Sequence, residues 1–388
     1  MSSIRDRLRA LITAAILFVP MQILRGASFE AGRRTRLWFF LVPAILATAL
    51  LNGCGDSGGS QKEYAYVSFP EVALRDRVAA VYNKTGTVHN GDRVVVLERM
   101  TNRRFVRVRT SGGEEGWIQE RYLTDQKTFD QLQRLAAQFK DAPAQAVAVT
   151  KQPVNLHAVP GRKTEHLYQL NVNQKVDLLK RGTADRNTGA PITDQQGDKK
   201  DTDSDSDDQP NQKPGQPPVL EDWWLIRDSE KRVGWALGNL LYVDIPIEVA
   251  QYAEGQRIVA FFVLNRVMDG DKAVNEYLVL LNENKDGVPY DYSQVRVFSW
   301  NVRRHRYETA YRERGLSGFL PVTLGKENFE KEGDLHTFTL QLSDAAGNLH
   351  PVKYKYNPPI VRQVLAPGEQ PLPKVRRKPA TAKRSHAR

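Results

Sequence analysis

Between residues 64 and 245 one ordered series of strand and turn signals occurs twice, and this repeat narrows the fold more than any other property of the 388-residue chain. The first pass runs from Val72-Ala73-Leu74-Arg75-Asp76 through Asn90-Gly91-Asp92 and Arg93-Val94-Val95-Val96-Leu97. It continues with Phe105-Val106-Arg107-Val108-Arg109, Gly116-Trp117-Ile118 and Tyr122-Leu123. Asn-Gly before a β-branched run predicts a turn entering a strand, because glycine supplies the positive φ the turn requires. The second pass has Val154-Asn155-Leu156-His157-Ala158, Asn173-Gln174-Lys175-Val176-Asp177-Leu178-Leu179, Trp223-Trp224-Leu225-Ile226-Arg227, Gly234-Trp235-Ala236 and Leu240-Leu241. Phe105 precedes Trp117 by twelve residues and Trp223 precedes Trp235 by twelve; Gly116 to Leu123 and Gly234 to Leu241 are both seven. Two small all-β units are expected.

The first halves of the two passes differ in length: Leu74 to Phe105 is 31 residues and Leu156 to Trp223 is 67, and residues 184–218 make up nearly all of the excess. That stretch holds eight Asp and a single large aliphatic, Ile192. It cannot bury enough surface to offset its ordering entropy, so a disordered acidic excursion from one loop is predicted. The alternating carboxylates of Asp201–Asp208 suit a hard cation, but Ser206 and Gln212 stand where a calcium loop needs Gly and a bidentate acid. Between the two units, over residues 125–145, Phe129, Leu132, Leu135, Ala136 and Phe139 share one side of a helix predicted for Gln126 to Lys140, a strut for one or both units.

Residues 64–124 and 146–245 each resemble the bacterial SH3 domain, a small half-open β-barrel common in exported and wall-associated proteins. The motifs that carry the resemblance are Leu74-Arg75-Asp76, Phe105-Val106-Arg107-Val108 with Gly116-Trp117-Ile118, and Trp223-Trp224-Leu225-Ile226-Arg227 with Gly234-Trp235-Ala236. The resemblance implies peptidoglycan or an envelope protein as partner. In such barrels the first aromatic of the paired position often lines a shallow groove, which makes Trp223 the leading ligand-binding candidate. Phe105, Trp117 and Trp235 are the further candidates. The pleat sends Trp223 and Trp224 to opposite faces, so one packs inside while the other lies at or near the surface. The alternative is that these tryptophans only close a small barrel.

Cys54 is the only cysteine, which excludes an intrachain disulfide framework and a Cys-based zinc cluster. Arg33, Arg34 and Arg36 precede the apolar run Leu37 to Leu51, and the run ends at Leu51-Asn52-Gly53-Cys54. This order is that of a secretory signal peptide. Leu51 to Cys54 resembles the lipobox of bacterial lipoproteins, which implies a cut between Gly53 and Cys54 and acylation of Cys54. Residues 1–53 are then the signal peptide and 54–63 a flexible tether. Met21 is a second candidate start, which would make residues 1–20 spurious. The expected location is the outside of a bacterial cell membrane, inner or outer, facing periplasm or cell exterior. Gly55-Asp56-Ser57-Gly58-Gly59 matches the surroundings of a chymotrypsin-like nucleophile, but no His precedes His89 and that family places His and Asp ahead of its Ser.

The net charge of +11 belongs to the ends: +5 over residues 1–53 and +7 over Lys374–Arg388, leaving the body near neutral. A broad nucleic-acid surface is therefore excluded. The Pro-rich basic tail, 366–388, is expected to be disordered and to adhere to an anionic surface.

From Ile245 to Leu365, seven short strand candidates (257–264, 276–281, 294–300, 306–312, 319–323, 337–342 and 352–356) predict a β-sandwich-like C-terminal domain over 246–365. Arg303, Arg304, His305 and Arg306 form a basic hairpin tip there, a solvated turn or an anionic-ligand site. The seven His are scattered without metal-ligand spacing, and no nucleophile elbow, phosphate loop or dinucleotide fingerprint occurs. No catalytic residue, metal or cofactor is expected. The sequence thus predicts an all-β, non-enzymatic, membrane-anchored lipoprotein with two SH3-like barrels joined by a helix. The alternative is a cell-wall-processing enzyme with the barrels as targeting modules and its chemistry in the C-terminal β domain.

Overall fold

The computed structural model of the protein describes residues 62–100, 104–187, 191–192 and 218–365, with Gly368. The expected signal peptide, Gly53, Cys54, most of the expected tether, the centre of the acidic insertion and the basic tail apart from Gly368 lie outside the described residues. The regular structure described is nearly all strand.

The first module comprises β1 (Glu63–Val67), β2 (Glu71–Arg75), β3 (Lys84–His89), β4 (Arg93–Met100), β5 (Phe105–Arg109), β6 (Glu115–Gln119) and β7 (Leu123–Asp125), with a 3-10 turn at Glu120–Tyr122. Its strands hydrogen-bond in the order β3-β2-β6-β5-β4-β1-β7. Period-two alternation sets the layers: Val106 and Val108 of β5 join Ala65, Val67, Leu74, Val88, Val94 and Ile118 in the core, while Arg107 and Arg109 face water.

The second module comprises β8 (Ala146–Thr150), β9 (Val154–His157), β10 (His166–Leu170), β11 (Lys175–Asp185), β12 (Pro191–Ile192), β13 (Leu220–Arg227), β14 (Val233–Leu237) and β15 (Leu241–Val243), with a 3-10 turn at Gly238–Leu240. The order β10-β9-β14-β13-β11-β8-β15 reproduces the first module strand for strand, with β12 added on β11. Irregularities repeat as well. The β4–β5 ladder shifts between Val96 and Glu98, and the β11–β13 ladder shifts at the matching place, between Leu178 and Lys180. Gly91 turns at φ +89° and Asn173 takes the same turn at φ +61°, a conformation that asparagine tolerates better than most residues. A Cβ on Gly116 would lie 2.7 Å from Leu74 Cβ, and one on Gly234 would lie 2.8 Å from Leu156 Cβ. Glycine before each tryptophan is thus required by the close approach of β6 to β2 and of β14 to β9.

The predicted disordered segment starts too early at residue 184. β11 runs on through Ala184 and Asp185, which pair with Glu221 and Leu220, and Ala184 is buried. These residues extend a twisted ribbon rather than leave it, because the ladder partner β13 also begins early.

The C-terminal region forms one antiparallel meander, β16 (Arg257–Asp269), β17 (Lys272–Asn282), β18 (Tyr292–Asn301), β19 (Arg306–Asn328), β20 (Asp334–Ser343), β21 (Leu349–Asn357) and β22 (Ile360–Gln363), paired in sequence order. Sandwich-like packing arises because this single sheet folds on itself. β16 meets β20 and β22 meets β19 without hydrogen bonding, around a core containing Leu264, Leu278, Val295, Phe338 and Tyr354. The predicted strands 306–312 and 319–323 are one strand, β19. Gly315 and Gly318 lie between them. In the structure Gly315 (φ +74°) sits in a bulge, and Gly318 makes room for the ring of Tyr292, 2.0 Å from where its Cβ would be.

The helix Gln126–Gln138 joins the modules, capped at its start by Asp125, whose carboxylate accepts from Thr128 N at 2.8 Å. Tyr66 of the first module stacks on Phe129 at 4.1 Å. On the other side Leu135, Ala136 and Phe139 cover Leu179, Leu225 and Val233 of the second module. Arg227 Nη1 donates to the carbonyls of Phe139, Lys140 and Ala142 at 3.0–3.2 Å, a cation placed at the end of the helix where the dipole favours it. The exposed edge β10 is also occupied: Asn90 of the first module donates to Leu167 O (2.7 Å) and accepts from Gln169 N (3.0 Å), blunting that edge.

The second module shares a continuous apolar core with the C-terminal sheet. A buried ionic lock completes the junction. Arg181 pairs with Asp222 (2.6 Å) and Asp291 (3.3 Å) and donates to Val288 O and Tyr290 O, while Arg257 holds the other Asp222 oxygen at 2.8 Å. Burial pushes Asp222 up, but Arg181 and Arg257 outweigh it and keep the carboxyl below its ordinary range.

Candidate functional site

The four predicted ligand-binding residues divide between two equivalent faces, one open and one closed. The open face belongs to the first module. Phe105 and Trp117 are half-buried and Arg75 is paired across the ladder with Trp117. The Arg75 guanidinium lies over the ring of Tyr82 at 4.1 Å and over that of Phe105 at 5.3 Å, so cation and rings form one stack.

The β2–β3 loop that delivers Tyr82 is pinned by one carboxylate. Asp76 accepts from Asn83 N (2.8 Å), Asn83 Nδ2 (3.0 Å) and Arg77 Nη2 (2.9 Å). The Arg77 hydrogen bond and the Asn83 N–H pull the Asp76 carboxyl down to about 2. The loop's tip carries Val81, 85% exposed.

Beside Phe105 opens a cleft of about 740 Å³ lined by Arg104, Gln119, Glu120, Arg121, Leu123 and, from the second module, Glu165. An adjoining recess of about 300 Å³ reaches Glu63 and Arg99. Arg99 is bonded to Glu63 and to Glu120 (2.6 Å), which holds that wall in place. The cleft therefore joins an aromatic–guanidinium stack to groups of both charges, which suits a peptide bearing amino and carboxylate groups.

The matching face of the second module is closed, and the expectation that Trp223 lines a surface groove is corrected. Trp223 is 2% exposed. It packs with Ala184, Leu237, Leu240 and Trp235. His157, in the place of Arg75, meets it edge-on at 5.1 Å. His157 Nδ1 donates to Thr164 O at 2.9 Å, and Arg162 bonds Glu221 through both Nε (2.7 Å) and Nη2 (2.8 Å). These contacts tie the β9–β10 loop to His157 and to Glu221, two residues before the tryptophan. Burial, with His166 nearby, holds the His157 imidazole at about 4, so the ring is neutral. Trp235 is half-buried against Gly182, where a Cβ would come within 2.8 Å of the indole. Trp224 points into the shared core, as the pleat requires.

Sequence reasoning missed Tyr82, Arg104 and Glu165. Tyr82 lies in a loop outside every motif, and Glu165 reaches the cleft only through the packing of one module on the other. Cys54 and Gly53 lie outside the described residues. Among the described residues no group of three or more His, Cys, Asp or Glu is placed to hold a metal ion.

Residues 71–124 match the family described as "Bacterial SH3 domain". No curated protein sequence matches. Among solved structures, NlpC2 from Trichomonas vaginalis is similar at 12% identity over 54% of this chain and 60% of that one, with a TM-score of 0.15. An NlpC/P60 family protein from Bacillus cereus is similar at 12% identity over 53% and 65%, with a TM-score of 0.20. NlpC1 from Trichomonas vaginalis is similar at 13% identity over 55% and 59%, with a TM-score of 0.15. The chain spans 59–65% of the length of these structures. The β2–β7 part of the first module, which carries the open face, is thus the segment that matches the bacterial SH3 domain.

Proposed function

We propose that the chain is a non-enzymatic envelope protein, exported and held to a bacterial membrane by acylation of Cys54, whose first module binds peptidoglycan or an envelope protein. The observation that carries this reading is the open stack of Tyr82, Arg75 and Phe105 on a bacterial SH3 domain, next to a cleft with both charge signs. Phe105 and Trp117 supply stacking area, and the Arg and Glu side chains of the cleft meet the amino and carboxylate groups of a wall peptide. The second module, with its equivalent face closed, supports the first and ties it to the C-terminal sheet. The basic tail adds adhesion to an anionic surface.

The test is co-sedimentation of the full chain with purified sacculi. Wild type is expected to pellet, and a Phe105→Ala/Trp117→Ala variant is expected to lose about tenfold in affinity. Equal pelleting of the two removes this face from ligand binding. Labelling with a clickable fatty acid, compared with Cys54→Ala, tests the anchor separately.

A further inference from the structure

At one end of the C-terminal sheet the β16–β17 and β18–β19 turns lie together, tied by a single carboxylate. Asp269 of the first hairpin accepts from Trp300 Nε1 at 2.9 Å and from His305 Nδ1 at 2.7 Å, both on the second. Asn301 Oδ1 accepts the backbone N–H groups of Arg303 and Arg304 at 3.1 Å, and the turns close at Gly270 (φ +61°) and His305 (φ +48°). The paired tip is therefore fixed by its own contacts.

What it presents differs from an ordinary solvated turn. Met268 on one hairpin is 59% exposed and Val302 on the other is 45% exposed. Behind them Trp300 packs edge-on against Tyr307 at 4.9 Å. Cations stand on the same two hairpins. Among the described residues Arg303 and Lys272 form no salt bridge, Arg266 donates only to the Asn275 amide (3.0 Å), and Arg304 and Arg306 share the one carboxylate of Glu308. The acids there are Glu308, shared by those two arginines, Asp269, bonded to His305 and Trp300 with Lys272 also near, and the exposed Asp271.

We propose that this paired hairpin tip seats on an anionic phospholipid surface, with Met268 and Val302 entering the headgroup–acyl boundary and the Arg and Lys side chains of the same hairpins engaging lipid phosphates. The shape selects the partner. Met268 and Val302 stand exposed at the ends of two neighbouring hairpins, and a bilayer interface yields around such side chains whereas a folded partner would need a matching cavity. A soluble polyanion would satisfy the arginines and leave Met268 and Val302 in water. Exposed apolar groups with basic ones on the same hairpins, and Trp and Tyr just behind, match the layering of a bilayer interface. This contact is independent of the acyl group on Cys54 and of any ligand of the first module.

The experiment uses the full chain carrying Cys54→Ala, floated with vesicles of phosphatidylglycerol and phosphatidylcholine and, in parallel, of phosphatidylcholine alone. With Cys54 replaced, Val302→Cys is the sole thiol and takes an environment-sensitive fluorophore. Its emission is expected to shift to the blue, and to be quenched by brominated acyl chains, on the anionic vesicles only. The same label at Val172→Cys, on the second module, is expected to stay in water. Met268→Asp/Val302→Asp is expected to lower the anionic-vesicle partition coefficient about tenfold with an unchanged circular dichroism spectrum. The proposal is overturned if the chain does not float, if it floats while the label at position 302 remains in water, as attachment through the basic tail alone would give, or if the double Asp variant partitions like its parent.

Discussion

The two modules share strand order, bulge position and turn geometry, yet the same outward face is used in opposite ways. On the first module, Arg107 and Arg109 of β5 form salt bridges with Glu115 of β6 in water. On the second, the positions that match Arg107 and Glu115 hold Leu225 and Val233, both buried under the connecting helix. A strand that alternates, such as Phe105-Val106-Arg107-Val108-Arg109, has one wet face; a strand that is apolar throughout, such as Trp223-Trp224-Leu225-Ile226, is covered on both. The fold is common to both modules, and a handful of outward residues decides which face is covered and which stays open.

The sharpest way to break this contrast is to exchange the deciding residue. Leu225→Arg buries a cation against the helix with no acid opposite it, and is expected to cost more than about 4 kcal/mol, enough to unfold the second module. Arg107→Leu on the first module changes an exposed surface and is expected to leave the unfolding midpoint within error. Denaturant titrations of the two variants give the comparison directly. Comparable losses would mean that the faces are not differently covered.

The aromatic pair follows. Trp223→Ala is expected to destabilise by about 3–5 kcal/mol, because a large buried ring leaves a cavity. Phe105→Ala, at a half-buried site, is expected to cost about 1 kcal/mol of stability while weakening sacculus binding, by less than the double variant with Trp117→Ala. If Trp223→Ala were as mild as Phe105→Ala, the groove of the second module would have to be open in solution.

This difference marks the limit of what the sequence makes legible. The twelve-residue spacing of Phe105 to Trp117 and of Trp223 to Trp235 reflects local geometry, two strands and a turn closed alike by Thr110 N to Glu114 O and Asp228 N to Arg232 O. Spacing of that kind survives in any single chain. The Asn173 turn is equally legible, since few residues other than glycine accept its φ. The burial of Trp223 is not local. Its cover comes from Ala184 on a lengthened strand, from Leu240 beyond β14 and from His157 on a third strand. The continuity of β19 was hidden for a similar reason: Gly318 is explained by Tyr292, 26 residues away in sequence, and not by a turn. Pattern identifies a strand and its alternation, whereas exposure depends on which distant segments arrive on top.

His157 separates the modules by pH. Its imidazole is held at about 4 against an ordinary 6.5, first by burial and then by His166. The folded state therefore binds fewer protons than the unfolded one between those values. The stability that follows is present above about 6.5 and lost as pH falls toward 4, reaching about 3 kcal/mol. His166, lowered by burial, acts in the same direction. Hydrogen exchange of β9 and β14 amides should accelerate from pH 7 to pH 4 after correction for intrinsic rates, and β2 and β6, with Arg75 at the matching place, should not. His157→Phe should flatten most of the difference.

The smallest expected effect tests what holds the open face in place. The loops between the second and third strands of the two modules are closed by different means: the second by Arg162 on Glu221 and by Thr164 on His157, the first by Asp76 on Asn83. Asp76→Ala removes the acceptor of Asn83 N and Asn83 Nδ2 and frees the segment that carries Tyr82. Arg75 then keeps Phe105 but loses the ring 4.1 Å away on its other side. An exposed cation–π contact contributes about 0.5–1 kcal/mol, so sacculus affinity is expected to fall about two- to fivefold. The unfolding midpoint should fall only slightly, since the carboxylate is exposed and its contribution is screened by water. Because the Asp76 carboxyl is depressed from 3.8 to about 2, its contribution is present above 3.8 and is lost only as pH falls through 2. The Asp76 closure of the loop should accordingly persist at pH 4, where a carboxylate of ordinary pKa would be half protonated, and the amide exchange of Asn83 would show it. If Asp76→Ala bound sacculi like wild type, ligand recognition would rest on Phe105, Trp117 and the cleft, and the loop would be only a closure of the barrel, as its counterpart is in the second module.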